Sequence, residues 1–355
     1  MKKLRTCVMG ATGLVGQQFI KNLVNHPYFE LVGLTASTKS AGKRYSEATE
    51  WSIGREMPKS VTNEVVIENT LEKMLKKDLD LVFSALPSNV AGEIESSLAK
   101  ERIYVFSNAS AHRMDKNVPI LIPEVNPNHL NIVTSQDFNG GFIVTNSNCS
   151  AAGLVIGLKP LMKFGIRSTI VTTYQALSGA GRRGVASMDI LGNIIPYIKG
   201  EERKIEQETR KMLGKFEDNQ IKFADFYINA SCARVPTKNG HLESVVVKLE
   251  EDITIEAALK TFNDFTGEPQ LMKLPTAPKK PIILSEETNR PQPARDLYSP
   301  DPNEVPGMAV TVGRMRKKGN RLNFFLLVHN AVRGAAGASI LNAEFAYAKK
   351  FFKMD

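Results

Sequence analysis

Residues Leu4–Met9 form a short apolar run that leads into Gly10-Ala11-Thr12-Gly13-Leu14-Val15-Gly16 and then Gln17-Gln18-Phe19-Ile20-Lys21-Asn22-Leu23. The order is strand, glycine turn, helix, and it commits a chain to few architectures. Glycines let the backbone turn tightly and bring N–H groups up to a pyrophosphate at the helix N-terminus. The spacing is G-x-x-G-x-x-G, a variant of the commoner G-x-G-x-x-G. Glycines used only for turning and packing are the plainer alternative, but the flanking strand and helix favour a dinucleotide. The expectation is a doubly wound α/β domain that meets the nucleotide through Gly10, Ala11, Thr12, Gly13, Leu14 and Val15. A second strand, 29–34, ends in Thr35-Ala36-Ser37-Thr38-Lys39-Ser40. An Asp or Glu about 20 residues after the glycines would meet a free ribose 2′-hydroxyl, and none is present. Ser37, Lys39 and Ser40 suit a 2′-phosphate instead, which points to NADP. Segments 79–87 and 103–106 read as further strands whose ends face the cofactor.

Other classes are excluded by composition. The 355 residues are 42% hydrophobic and 23% charged, enough for one large or two moderate cores and too apolar for disorder. No apolar run approaches the ~20 residues of a membrane span, and the basic start runs into a strand rather than a signal peptide. Cys7, Cys149 and Cys232 are scattered and odd in number, without metal-ligand spacing. No metal is expected, and the setting reads as reducing and cytoplasmic. The net charge of +9 fits an anionic substrate or cofactor. No Lys/Arg block interleaved with aromatics argues for nucleic acid.

Asn146-Ser147-Asn148-Cys149-Ser150-Ala151-Ala152 carries the reactive candidate. An apolar run, 141–144, precedes it and an apolar helix, 151–158, follows, so Cys149 stands where loop becomes helix. Unpaired N–H groups and the helix dipole favour a thiolate there. Thiolate plus dinucleotide is the equipment for oxidising an aldehyde through a covalent thioester. Such chemistry needs a proton-transfer group near neutrality, and histidine is the usual one. Among His26, His112, His129, His241 and His329, His241 is best placed, seven residues after Arg234 and across a Lys238-Asn239-Gly240 turn before the strand 243–249. Cys7 and Cys232 read as packing residues. Arg113 follows a strand end and is a candidate anion ligand. The helix 201–213 is highly charged, and its plain reading is a solvated face. Segment 275–306 is proline-rich and irregular, an excursion, interface arm or lid. Strands 309–312 and 322–328 precede a stretch, 331–337, whose small residues open a final helix through Ala348.

The ordered set of motifs resembles the aspartate-β-semialdehyde dehydrogenase family, in its archaeal and fungal branch, over essentially the whole chain. It rests on residues 10–16, Ser107-Asn108-Ala109-Ser110 with Arg113, Ser147-Asn148-Cys149, Gln175 with Ser178-Gly179-Ala180-Gly181, 201–204, 234–241 and 329–337. The glycine motif alone is shared with many reductases; the ordered set is specific. The resemblance implies Cys149 as nucleophile, His241 as general acid/base and Gln175 as the residue orienting substrate. It implies that Arg234 grips the substrate α-carboxylate and that Glu201, or its neighbour Glu202, meets the ammonium. Arg113, Asn148 and Lys204 would hold phosphate. Ser84, Leu86, Ser178, Gly179 and Asn330 would join the glycine loop around the cofactor. The implied reaction is reduction of aspartyl 4-phosphate by NADPH to the semialdehyde, with release of inorganic phosphate, for lysine, threonine and methionine synthesis. The implied fold is a Rossmann-type domain, 1–149 with 331–355, to which the C-terminal helix returns, and a central α/β catalytic and dimerisation domain, 150–330, in a homodimer or homotetramer. Malonyl-CoA reductase shares this scaffold and its Cys/His chemistry, but a CoA thioester offers no ammonium for Glu201. An N-acetylated glutamyl phosphate lacks one too.

Overall fold

The computed structural model describes residues 2–54, 56–298 and 305–353. They form two compact units: 1–121 with 130–146 and 335–355, and 122–129 with 147–334.

The first unit is built on a six-stranded sheet of β1 (Leu4–Met9), β2 (Phe29–Ala36), β3 (Ile67–Glu68), β4 (Leu81–Ser84), β5 (Tyr104–Ser107) and β6 (Phe142–Thr145). The order is β3-β2-β1-β4-β5-β6 and every pairing is parallel, the doubly wound arrangement expected of the glycine turn. Leu-Val-Phe-Ser, Tyr-Val-Phe-Ser and Phe-Ile-Val-Thr in β4, β5 and β6 are buried at every position, as strands covered on both faces must be. The helix Gly337–Ala348 packs in this unit, with His26 Nε2 2.8 Å from Glu344 Oε1 and Asn342 Nδ2 donating to the Leu121 carbonyl. Its start differs from expectation. Residues Val332–Ala336 make a wider turn broken at Ala335 (φ −152°, ψ −107°), so the helix begins at Gly337.

At two positions of the glycine turn only glycine serves. Gly10 has φ +72°, and a Cβ on Gly16 would fall 2.2 Å from the Gly10 carbonyl oxygen. A neighbouring backbone cannot yield like a flexible side chain. Gly16→Ala is therefore expected to destabilise the protein by about 1–3 kcal/mol, read as a lower denaturant midpoint; an unmoved midpoint would mean that the turn relaxes freely.

The second unit carries a mixed sheet of β7 (Ile166–Gln175), β10 (Tyr227–Arg234), β11 (His241–Leu249), β12 (Ile282–Ser285), β13 (Val310–Lys318) and β14 (Arg321–Val328), beside a small hairpin of β8 (Lys215–Glu217) and β9 (Gln220–Lys222). Its order is β10-β7-β11-β14-β13-β12. Burial alternates along β10 and β11, leaving one face under helices. The Cys149–Leu158 helix, buried almost all round, lies on that face so closely that a Cβ on Gly153 would come 2.8 Å from Val328 Cβ.

The structure adds detail to the sequence reading at several points. The Lys238-Asn239-Gly240 segment lies between β10 and β11, and these two strands are not neighbours in the sheet, because β7 runs between them. The proline-rich segment is not wholly irregular, since it contributes β12, parallel to β13, and a short helix, Pro293–Asp296. Its residues 299–304 lie outside the described residues. The unit boundaries fall at 146/147 and 334/335, so Cys149 belongs to the second unit. Segment 122–129 joins it too, held by the buried pair Arg333–Glu124 at 2.6 Å.

Candidate active site

The ends of three adjacent strands build the site in the second unit. Arg234, last in β10, pairs with Gln175, last in β7; Leu242 of β11 pairs with Tyr174, which sets His241 beside Gln175. All three side chains are buried. Above them stands the first turn of the Cys149–Leu158 helix, and Cys149 Sγ lies 3.2 Å from His241 Nε2. The Ala176 N–H donates to His241 Nδ1 at 3.0 Å, so Nε2 is the nitrogen left for proton transfer. Burial, reinforced by the Arg234 guanidinium, pushes the His241 pKa down to about 3 and keeps the ring neutral at pH 7.

Asn148 organises the turn. Its Oδ1 accepts from the Ser150 and Ala151 N–H groups (3.0 and 3.1 Å), its Nδ2 donates to Glu201 Oε1 (2.8 Å), and its backbone N–H donates to Glu208 Oε2 (2.6 Å). The side chain expected to hold phosphate thus has both ends engaged by the protein, as N-cap and as brace. Gln175 Nε2 donates to the same Glu201 oxygen at 3.1 Å, and Lys204 Nζ stands 3.7 Å from Glu201 Oε2. Glu202 accepts instead from the Cys232 N–H at 3.2 Å, so the geometry favours Glu201 as the acid of the site. Arg234 donates one Nη1 hydrogen bond to the Ala176 carbonyl at 2.6 Å. Gly179 lies against this group, since a Cβ there would come 2.7 Å from Arg234 Nη1; one on Gly334 would come 2.7 Å from Cys149 Cβ. Asn330 Nδ2 donates to Ser178 Oγ (2.8 Å), and Asn330 Oδ1 accepts from the Gly240 N–H (2.9 Å).

The remaining expected residues belong to the first unit. The Leu14–Leu23 helix has no side-chain cap, which leaves its first-turn N–H groups to a ligand. Leu86 lies against Gly10, while Ser37 and Lys39 are exposed in the turn just after β2. These features fit a phosphorylated dinucleotide: backbone approach is open at the glycines, and no carboxylate stands at 37–40. Ser84, expected at the cofactor, is wholly buried with its hydroxyl beside Glu95. Arg113 is buried and donates from Nε to the Asn146 carbonyl and from Nη2 to the Asn108 carbonyl, both at 2.8 Å.

The other histidines have partners that explain them: Glu344 for His26, Asp115 for His112, Asn126 and Gly214 for His129, and Tyr298 for His329. Cys7 and Cys232 are buried, and burial raises both thiols to about 12, which suits packing and not reactivity. Sequence reasoning missed Thr173, Glu208 and Glu243. Alternation along β7 and β11 places Thr173 with Gln175 and Glu243 with His241, and helical spacing places Glu208 with Glu201 and Lys204. Those periodicities were the available signal.

Two family models match the chain, the semialdehyde dehydrogenase NAD-binding domain over residues 5–133 and the semialdehyde dehydrogenase dimerisation domain over 158–333. With the thiol–imidazole site, they define the class as semialdehyde dehydrogenases. An aspartate-semialdehyde dehydrogenase of Archaeoglobus fulgidus is 48% identical over 97% of this chain and 98% of its own. A malonyl CoA reductase (NADP) of Metallosphaera sedula is 38% identical over 99% and 98%. A crystal structure of aspartate semialdehyde dehydrogenase with NADP from Candida albicans superposes with TM-score 0.88 at 38% identity, covering 99% of this chain and all of that one. The chain belongs to the aspartate-semialdehyde dehydrogenase family.

Proposed function

We propose that the protein catalyses NADP-dependent interconversion of aspartyl 4-phosphate and aspartate 4-semialdehyde through a thioester on Cys149. The observation that carries this reading is Cys149 Sγ at 3.2 Å from a buried His241, beside Arg234 and Glu201. In the reducing direction the Cys149 thiolate attacks the acyl carbon and phosphate leaves. His241 Nε2 handles the proton exchanged between the sulfur and the reacting oxygens. Gln175, fixed by Thr173 Oγ1 and Glu201, orients the acyl group. Arg234 offers its planar fork to the α-carboxylate, and Glu201 meets the ammonium. Lys204 and Arg113 attract phosphate, while Asn148 positions the turn. NADP, when bound, supplies or accepts the hydride; residues 10–15 with Ser37, Lys39 and Ser40 would hold its phosphates, aided by Leu86, Ser178, Gly179 and Asn330.

The acid at Glu201 favours an amino-acid substrate over a CoA thioester, and so favours this reaction over that of the malonyl-CoA relative. The test is NADP reduction with aspartate semialdehyde, with and without phosphate, beside NADPH oxidation with malonyl-CoA. Phosphate-dependent turnover of the semialdehyde is expected; activity on malonyl-CoA alone would overturn the substrate.

We also read the second unit as the homodimer contact. Met188, Leu191, Ile194 and Tyr197 are 88, 70, 55 and 65% exposed, an apolar patch suited to a second copy. Whether dimers pair into tetramers is a question for light scattering. Cys7, Cys149 and Cys232 are thiols and not disulfides, which accords with work in the cytoplasm; no helix among the described residues is long and apolar enough to cross a membrane.

A further inference from the structure

Glu243 lies two residues beyond His241 on β11, on the same buried face, and is wholly inaccessible. It fronts Ser150, the residue after Cys149. Around it stand Ser150 from the cysteine helix, Thr173 from β7, Leu326 from β14, Cys232 from β10 and Glu201 from the Glu201–Met212 helix. None of these is a cation. The Ser150 hydroxyl faces the Glu243 carboxyl without reaching good hydrogen-bond geometry, and no other donor meets either carboxyl oxygen. Glu201 is the opposite case, with Asn148 and Gln175 as donors and Lys204 nearby. Of the three buried acids around the cysteine turn, Glu201 and Glu208 are each supplied with N–H donors, while Glu243 faces only the Ser150 hydroxyl, an arrangement that disfavours charge on Glu243.

We propose that Glu243 is a positioning residue that works as a neutral carboxylic acid, keeping its own proton and so sparing the Cys149 turn a further carboxylate charge, from the sheet side. Burial holds its proton on first of all, the Ser150 hydroxyl opposes this in part, and the Glu201 charge adds to it. An ionised Glu243 would oppose both the thiolate and an anionic substrate in a medium of low dielectric. Turnover should then fall on the alkaline side as Glu243 loses its proton. That consequence for turnover rests on the thioester reading above; the protonation state does not.

Difference infrared spectroscopy of the full-length enzyme against Glu243→Gln tests the proton directly. A neutral-carboxyl C=O band is expected in the wild type at neutral pH and should be missing from the variant. In kcat/KM profiles the variant keeps a neutral, similarly shaped group, and its alkaline limb should move up by about one pH unit or more, tenfold in proton concentration. Absence of the band at neutral pH, or an alkaline limb in the same place for both proteins, would overturn the proposal. Should the variant not fold, carboxyl-labelled glutamate in the wild type reads the same band through a pH titration, and its absence at neutral pH counts equally against the proposal. The infrared arm needs no substrate, so its failure is distinguishable from failure of the assigned reaction.

Discussion

Cys149→Ser is expected to lower kcat/KM for phosphate-dependent oxidation of the semialdehyde by roughly 10⁴-fold or more. Serine nearly preserves the shape, and the Asn148 cap, Glu208 anchor and Gly334 contact that hold the turn do not involve the sulfur. What is lost is nucleophilicity: an alcohol is far harder to ionise than a thiol at neutral pH, and the acyl-enzyme cannot form. Steady-state kinetics and intact-mass detection of a covalent adduct check this together. Thermal stability should stay close to that of the wild type. A serine variant retaining a tenth of the activity would remove Cys149 from the mechanism.

His241→Gln should cost about 10²–10⁴-fold in kcat. The amide can still donate toward sulfur but cannot exchange a proton, so the variant separates hydrogen bonding from acid–base work. Substrate affinity should change little, because Arg234 and Glu201 remain. A pH signature accompanies the loss. The folded pKa of His241 is depressed to about 3 from 6.5, so between those values the unfolded chain binds a proton that the folded protein refuses. Stability on this account is full above about pH 6.5 and declines as pH falls toward 3. His241→Gln should flatten that decline in denaturant titrations at several pH values. An unchanged slope with full activity would make His241 a packing residue.

Much of this was legible in the chain because it is written locally. The glycine turn, the parallel strands and the helix that begins at Cys149 are each specified by contiguous residues. Their bounds moved little, apart from the final helix, where a turn at Ala335 intervenes. Less was legible where pairing crosses long distances. The Lys238-Asn239-Gly240 signal is a sound turn signal, yet nothing local says that β7 enters between the two strands it links. Nor could spacing show that Asn148, a phosphate ligand only by family resemblance, has its amide engaged by Glu201 and its own helix. Glu243 escaped notice because a lone acid in a strand resembles a surface charge until the sheet buries it.

The interposition of β7 has one further consequence. Arg234, Gln175 and His241 become neighbours only when β10, β7 and β11 have paired in register, and a slip of one residue in β7 would turn Gln175 to the opposite face. No hairpin or isolated segment can assemble the trio beforehand. Catalytic competence in this chain is thus a late event of folding: recovery of activity during refolding should lag the appearance of strand signal and coincide with completion of the central sheet.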